Sequence, residues 1–340
     1  MKVFCAPDRQ SVHYPKSFLV NGAQQPNPEV PERVDRLIAA ARAGGHHIAA
    51  PADHGLGPIA AVHTPDYIAF LQTIYQRWAR IEGASAEVIP NIHPDRRQAS
   101  YPLSAVGQAG FHMADTACPI GPDSWESIYW SASSAASAAT AVLDGAPAAY
   151  ALCRPPGHHA FADMAGGFCF VNNSAVAAQM LRQEHERVAI VDVDLHHGNG
   201  TQGIFYERAD VFTVSIHADP IRFYPFFWGH AHEIGEGAGR GYNLNLPLPR
   251  GSKDAEFLAA LDRGLERVRC FAPGALVVAL GLDAFEGDPF GGLAVSTPGF
   301  GQIAKRLANL GLPTVIVQEG GYLCDALDDN LKSFLKGFAG

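Results

Sequence analysis

The chain has 340 residues, 47% hydrophobic and 17% charged, which supplies a large buried core and excludes an intrinsically disordered polymer. Its 25 Lys and Arg against 34 Asp and Glu give a formal charge of −9 with the 15 His neutral. That balance argues against gripping nucleic-acid phosphates, which takes clustered positive charge, and favours a cationic ligand.

In chain order, residues 1–7 are too short an apolar run for a signal-peptide core. No stretch reaches the roughly 18 apolar residues of a membrane span, so a membrane is not expected as a partner. The six cysteines are scattered without a C-x-x-C pair, and a reducing cytoplasm is the expected setting. Residues 75–130 carry Pro90, Pro94, Pro102, Pro119 and Pro122 with interspersed glycines, and read as a long, partly structured excursion. Residues 131–141, rich in Ala and Ser, read as a closely packed helix. Short apolar runs follow at 148–153, 188–191, 211–216, 275–280 and 314–317. Their continuous rather than alternating character predicts strands buried on both faces, as in a parallel sheet. Between them, 174–182 follows the capping residues Asn172 and Asn173, and 254–269 has apolar residues at helical spacing. Strand alternating with helix predicts one α/β domain over 1–340, with a mainly parallel sheet and helices on both faces.

The chemistry concentrates where the apolar runs end. After 188–191 come Asp192, Asp194 and His196 at every second position, so on an extended chain they project to one side, roughly 6.5 Å apart. Imidazole with carboxylates suits Zn²⁺ or Fe²⁺. A helix cap accounts for one Asp but poorly for two carboxylates and two histidines in so few positions. A third ligand comes from another strand end, Asp283 after Gly281-Leu282, and three ligands with one open position mark a catalytic metal site. The same edge would present His158-His159 after Arg154-Pro-Pro-Gly and Tyr322 after Glu319-Gly-Gly. A His pair beside an activated water can take and return a proton, and a phenol aimed inward can stabilise an oxyanion. Alone, each is as readily a surface turn or a core aromatic; four strand ends supplying such groups make coincidence a poor account.

With these residues placed, the chain resembles the arginase–deacetylase superfamily, in the branch of histone deacetylases and bacterial acetylpolyamine amidohydrolases. The likeness rests on Arg154-Pro-Pro-Gly-His158-His159, Gly166-Gly-Phe168-Cys-Phe-Val-Asn-Asn173, Asp192-Val-Asp194-Leu-His196-His-Gly, Gly281-Leu-Asp283-Ala-Phe and Glu319-Gly-Gly-Tyr322, in family order. It implies the arginase–deacetylase fold and Zn²⁺-dependent hydrolysis of N-acetylated amines (Fe²⁺ being an alternative ion), most of all small cationic acetylpolyamines. The ion would lie on Asp194, His196 and Asp283, with His159 as general base then acid, His158 its electrostatic partner and Tyr322 polarising the acetyl carbonyl.

The resemblance also implies a substrate tunnel walled by Gly167 and Phe168, faced by Tyr224 where relatives usually carry Phe. It implies structural K⁺ at Asp192, Asp194, His196, Ser215 and Ile216, and a second K⁺ at Phe205, Arg208, Val211 and Tyr242. Asn199 stands where many histone deacetylases carry an Asp beside the general base. The insertion around 75–130 is similar to one that acetylpolyamine amidohydrolases use to form homodimers and narrow the entrance. Positions where relatives carry acidic residues in it hold Val106 and Ala117, with Asp115 the nearest carboxylate. Acetyl-lysine peptides, an arginase-like ureohydrolase reaction and a non-catalytic acetyl-amine binder are the competing readings.

Overall fold

The structure, a computed structural model, describes residues 1–95 and 100–340; residues 96–99, within the excursion, lie outside the described residues. Ten strands are present among those described: β1 (Lys2–Phe4), β2 (Ser17–Val20), β3 (Ala23–Pro26), β4 (His47–Ala49), β5 (Ala148–Ala151), β6 (Val188–Asp192), β7 (Val211–Ala218), β8 (Asn243–Leu248), β9 (Ala275–Leu280) and β10 (Thr314–Gln318). Eight form one sheet in the order β4-β1-β5-β10-β9-β6-β7-β8, and every neighbouring pair is parallel.

Every residue of β6, β7, β9 and β10 is buried, because helices cover both faces; this is the physical origin of their uninterrupted apolar sequence. On one face β-strand residues such as Val191, Val278 and Ile316 join a core with Leu37, Phe257, Phe300 and Phe334. On the other, Ile190, Val277 and Val317 pack on Ala135, Ala138, Ala175 and Ala178. The small side chains of helices Ser124–Leu143 and Asn173–Leu181 let these segments approach the sheet closely. Asn172 caps the second by accepting the Ala175 N–H at 2.9 Å. The predicted helix at 254–269 is Asp254–Phe271, opened by the Glu256 side chain accepting the Lys253 N–H at 2.9 Å.

The excursion is folded into the body. It contains helix Ala105–His112 and a bridge between Val88 and Ile120. Its Met113, Cys118 and Ile120 share an apolar cluster with Tyr67, Ile128 and Phe170. A hairpin, β2 and β3, stands apart from the main sheet. Its turn, Asn21-Gly22 with φ of 51° and 80°, has the positive dihedrals a two-residue hairpin loop requires.

Candidate active site

Four neighbouring strands at the sheet's centre, β5, β10, β9 and β6, bring their carboxyl ends to one crevice, where parallel sheets bind ligands. Asp194 and His196 follow β6, and Asp283 follows β9. All three are buried, and one donor atom from each lies within 4.8 Å of the others. His196 Nδ1 is 3.1 Å from Asp283 Oδ2 and 3.4 Å from Asp194 Oδ1. Backbone N–H groups fix the carboxylates: Gly320 donates to Asp194 Oδ2 at 2.8 Å and Leu195 to Asp283 Oδ1 at 3.1 Å.

The electrostatics call for a cation. Burial, reinforced by the Asp194 charge, raises the Asp283 carboxyl. Burial also opposes ionisation of Asp194, yet His158 and His196 hold it well below the usual carboxylate range. The two carboxylates in turn overcome burial at His196 and raise its imidazole to about 9. Gly281 and Gly320 leave the space: a Cβ on either would intrude on the Asp194 carboxylate. The donor set fits a divalent metal ion.

The two histidines after β5 have different partners. His158 Nδ1 lies 2.9 Å from Asp192 Oδ2. Burial disfavours its charge, but Asp194 and Asp192 prevail and raise it well above the ordinary histidine value. His159 Nδ1 lies 2.6 Å from Asn199 Oδ1. An amide oxygen only accepts, so Nδ1 carries the hydrogen and Nε2 keeps its lone pair. Burial, then the neighbouring His158 and His196, holds His159 well below its usual value, which leaves it neutral and basic at Nε2.

Tyr322 follows β10 and is 3% exposed. Its ring packs on Phe290 at 4.7 Å and Phe168 at 5.8 Å, with the Arg33 guanidinium 4.9 Å from its centroid. Burial raises the phenol well above its ordinary value, so the O–H stays a donor. Gly167, Phe168, Tyr224, His159, His196 and Tyr322 all line one cavity of about 780 Å³. Phe168 sits at a φ of 70°. The Tyr224 hydroxyl donates to Asp115 Oδ2 at 2.7 Å. Asp115 and Ala117 line the same cavity, whereas Val106 packs against the excursion's apolar cluster. The charge of −9 does not extend to the mouth: among the described residues, the charged ones lining it besides Asp115 are Arg222 and Arg250.

Of the positions expected to hold K⁺, Ser215 pairs with Asp192 across β6 and β7, beside Asp194 and His196, and Ile216 follows it. The Ser215 hydroxyl contacts His217 Nδ1 at 2.8 Å. Phe205, Arg208, Val211 and Tyr242 gather at the opposite end of β7, where the Phe205 carbonyl accepts the Arg208 N–H at 3.0 Å and the Tyr242 carbonyl that of Thr213 at 3.1 Å.

Several residues here went unassigned from sequence. Glu319 accepts the Gly157 and His158 N–H groups at 2.6 and 3.0 Å and the Ser174 hydroxyl at 2.8 Å, fixing the loop that presents His158. Asp288 accepts the Tyr322 N–H at 3.0 Å. Arg33 donates to the carbonyls of Gly321 and Glu319 at 2.7 and 2.8 Å. It is paired with Glu29 at 2.7 Å, and Glu29 also meets Arg154 at 2.9 Å. Glu319 belongs to a quoted motif, so its position was legible even though its role was not. The others carry no local sequence signal.

A parallel sheet whose central strand ends gather a cation pocket, a proton acceptor and a phenol donor defines the class: a metal-dependent hydrolase. The sequence profile described as histone deacetylase domain matches residues 27–338. An acetylpolyamine amidohydrolase of Burkholderia pseudomallei (strain 1710b) is 50% identical over 339 residues, covering 99% of this chain and 98% of that one. Acetylpolyamine amidohydrolase 1 of Pseudomonas aeruginosa is 43% identical over 338 residues, covering 98% and 97%. A crystal structure of acetylpolyamine aminohydrolase from Burkholderia pseudomallei aligns with a TM-score of 0.97 at 50% identity, covering 100% of this chain and 98% of that one. The chain belongs to the histone deacetylase domain family, whose members are metal-dependent hydrolases.

Proposed function

We propose that this protein hydrolyses the amide of N-acetylated amines, acetylpolyamines foremost, releasing acetate and the free amine, with Zn²⁺ (or Fe²⁺) on Asp194, His196 and Asp283. The names of the full-length relatives support the substrate class. The observation that carries the reaction is that His159 and Tyr322 line one cavity with His196, which belongs to the buried carboxylate–imidazole group. The ion, when bound, supplies Lewis acidity to the acetyl oxygen and makes water nucleophilic near neutral pH.

The chain's own residues do the rest. His159 Nε2 accepts the proton of the attacking water and returns it to the departing amine nitrogen. The Tyr322 O–H donates to the oxyanion developing on the acetyl oxygen. His158, held charged by Asp192 and Asp194, keeps His159 neutral by electrostatic repulsion. Phe168 and Tyr224 flank the methylene chain. The positions around Ser215 and Phe205 hold structural K⁺ in this reading.

The insertion at 75–130 joins two copies into a homodimer, a role supported by Leu103 and Ile92, which are 87% and 60% exposed. Six free cysteines suit the cytoplasm, and no helix among the described residues is long and apolar enough to cross a membrane. The test is steady-state acetate release from acetylated diamines, longer acetylpolyamines and acetyl-lysine peptides by protein of measured metal content. Absence of turnover on every acetylated amine, with one equivalent of Zn²⁺ or Fe²⁺ bound, would defeat this reading.

A further inference from the structure

The charged residues around the cavity are unequally committed. Asp115 is the one carboxylate among the described residues that line it. It already accepts the Tyr224 hydroxyl at 2.7 Å, the Gly167 N–H at 3.2 Å and the Ala117 N–H at 2.8 Å. A carboxylate offers about four lone-pair sites, so little of Asp115 is left for a ligand.

The two guanidiniums are less committed. Arg222 closes the short 3-10 turn Pro220–Arg222 and has no side-chain hydrogen bond, ion pair or ring contact with any described residue. Arg250 donates one N–H to the Gly291 carbonyl at 2.9 Å and lies 5.3 Å from the Phe223 ring centroid. Each guanidinium has five N–H donors, so nearly all remain available. In a protein of formal charge −9, the place where a substrate's far end must rest carries uncommitted positive charge.

The reach allows it. Phe223 stacks on His196 at 5.2 Å and 15°, and the Arg250 guanidinium lies 5.3 Å from the same ring's centroid. Those two spacings place the guanidinium no more than about 10.5 Å from the His196 ring. An extended chain from an acetyl carbonyl carbon through a terminal nitrogen and five further carbons to a carboxyl carbon spans roughly 9 Å. Guanidinium is also the side chain best shaped to meet a carboxylate edge-on.

We propose that Arg222 and Arg250 form a carboxylate subsite at the cavity mouth, which extends the enzyme's substrates to ω-N-acetylated diamino acids. This rests on the deacetylase reading and goes beyond it: water still cleaves the same C–N bond, giving acetate and the free amine. The carboxylate of the far end acts only in binding. The subsite distinguishes a free acetylated amino acid from the same residue inside a peptide, where that carboxylate is an amide.

Three probes isolate the effect in the holoenzyme: Nε-acetyl-lysine, its α-carboxamide, and N-acetyl-1,5-diaminopentane, which lacks the α-carboxyl group altogether. For wild type, kcat/KM on the acid should exceed that on the carboxamide by about fivefold, the scale of one exposed charge pair. The difference should lie in KM and shrink at high salt as the charges are screened. In the R222Q/R250Q double variant the ratio should fall to near one. The rate on acetyldiaminopentane should rise as repulsion of its ammonium is removed, which also reports an intact fold. A wild-type ratio at or below one, or a ratio that survives both substitutions, overturns the subsite while leaving the deacetylase reading in place. Failure on all three probes overturns that reading and the subsite with it.

Discussion

Replacing Gly320 with alanine would press a methyl group into the floor of the cation pocket. The new Cβ would sit 2.7 Å from Asp194 Oδ2 and closer still to Asp283 Oδ2. Ordinary contact begins near 3.4 Å, so the Asp194 oxygen must retreat by roughly 0.7 Å and the Asp283 oxygen further. Metal–ligand distances tolerate shifts of only about 0.2 Å. The backbone itself accepts alanine, since Gly320 is absent from the glycines at positive φ. The damage therefore falls on the ligands and not on the fold. Disturbing a residue that merely orients ligands typically weakens metal binding by about 10–100-fold. Moving two ligands at once should reach or exceed the upper figure. Chelator competition followed by elemental analysis measures the affinity, and circular dichroism with thermal melting checks the fold. Wild-type metal affinity in a folded Gly320→Ala protein would refute the placement of the ion between Asp194 and Asp283.

Tyr322→Phe keeps the ring among Phe168, Phe290 and Arg33 but removes the donor; kcat should fall by about 10²–10³ with metal content unchanged, as read by acetate release and elemental analysis. Asn199→Asp places a carboxylate against His159 Nδ1, now held at 2.6 Å by a neutral oxygen. It should raise the imidazole's pKa, which burial, His158 and His196 hold low. Because His159 must be neutral to accept a proton, activity disappears as pH falls through that pKa. The acid limb of kcat/KM should therefore move to higher pH in the variant; a limb that stays in place or moves lower contradicts the general-base role. Glu29→Gln leaves Arg33 and Arg154 buried without their shared anion. A loss of about 3–5 kcal/mol, or roughly 4–7 °C in Tm for a chain of this length, is expected by calorimetry.

The strands that carry the chemistry were readable because burial on both faces writes an unbroken apolar run, and a ligand site writes an abrupt polar end. Val188–Asp192 followed by Asp194 and His196 is the clearest case. The peripheral strands had no such signature. Residues Lys2–Phe4 and His47–Ala49 are three-residue strands, and Asn243–Leu248 alternates Asn with Leu and contains a proline at the sheet's edge. The excursion's prolines suggested a partly structured segment without showing that its apolar side chains join a cluster with Tyr67 and Phe170. Arg33 meets Gly321 across 288 positions of chain and Tyr224 meets Asp115 across 109. Contacts of that span leave no local pattern, so neither the support behind Tyr322 nor the tying-up of Asp115 could be read in advance. The formal charge has the same limit: a whole-chain total says nothing about which sign faces a given cavity.

The reactive groups all hang from β5, β10, β9 and β6, strands locked on both sides by parallel neighbours. The rim is assembled from separate pieces: the hairpin at Phe18–Asn21, the segment around Asp115, and the turn from Arg222 to Trp228. Bond-breaking and selection are thus borne by different stretches of chain, one stiff and one superficial. Rim segments could be exchanged between relatives to redirect which molecule enters while the hydrolytic apparatus beneath stays as it is.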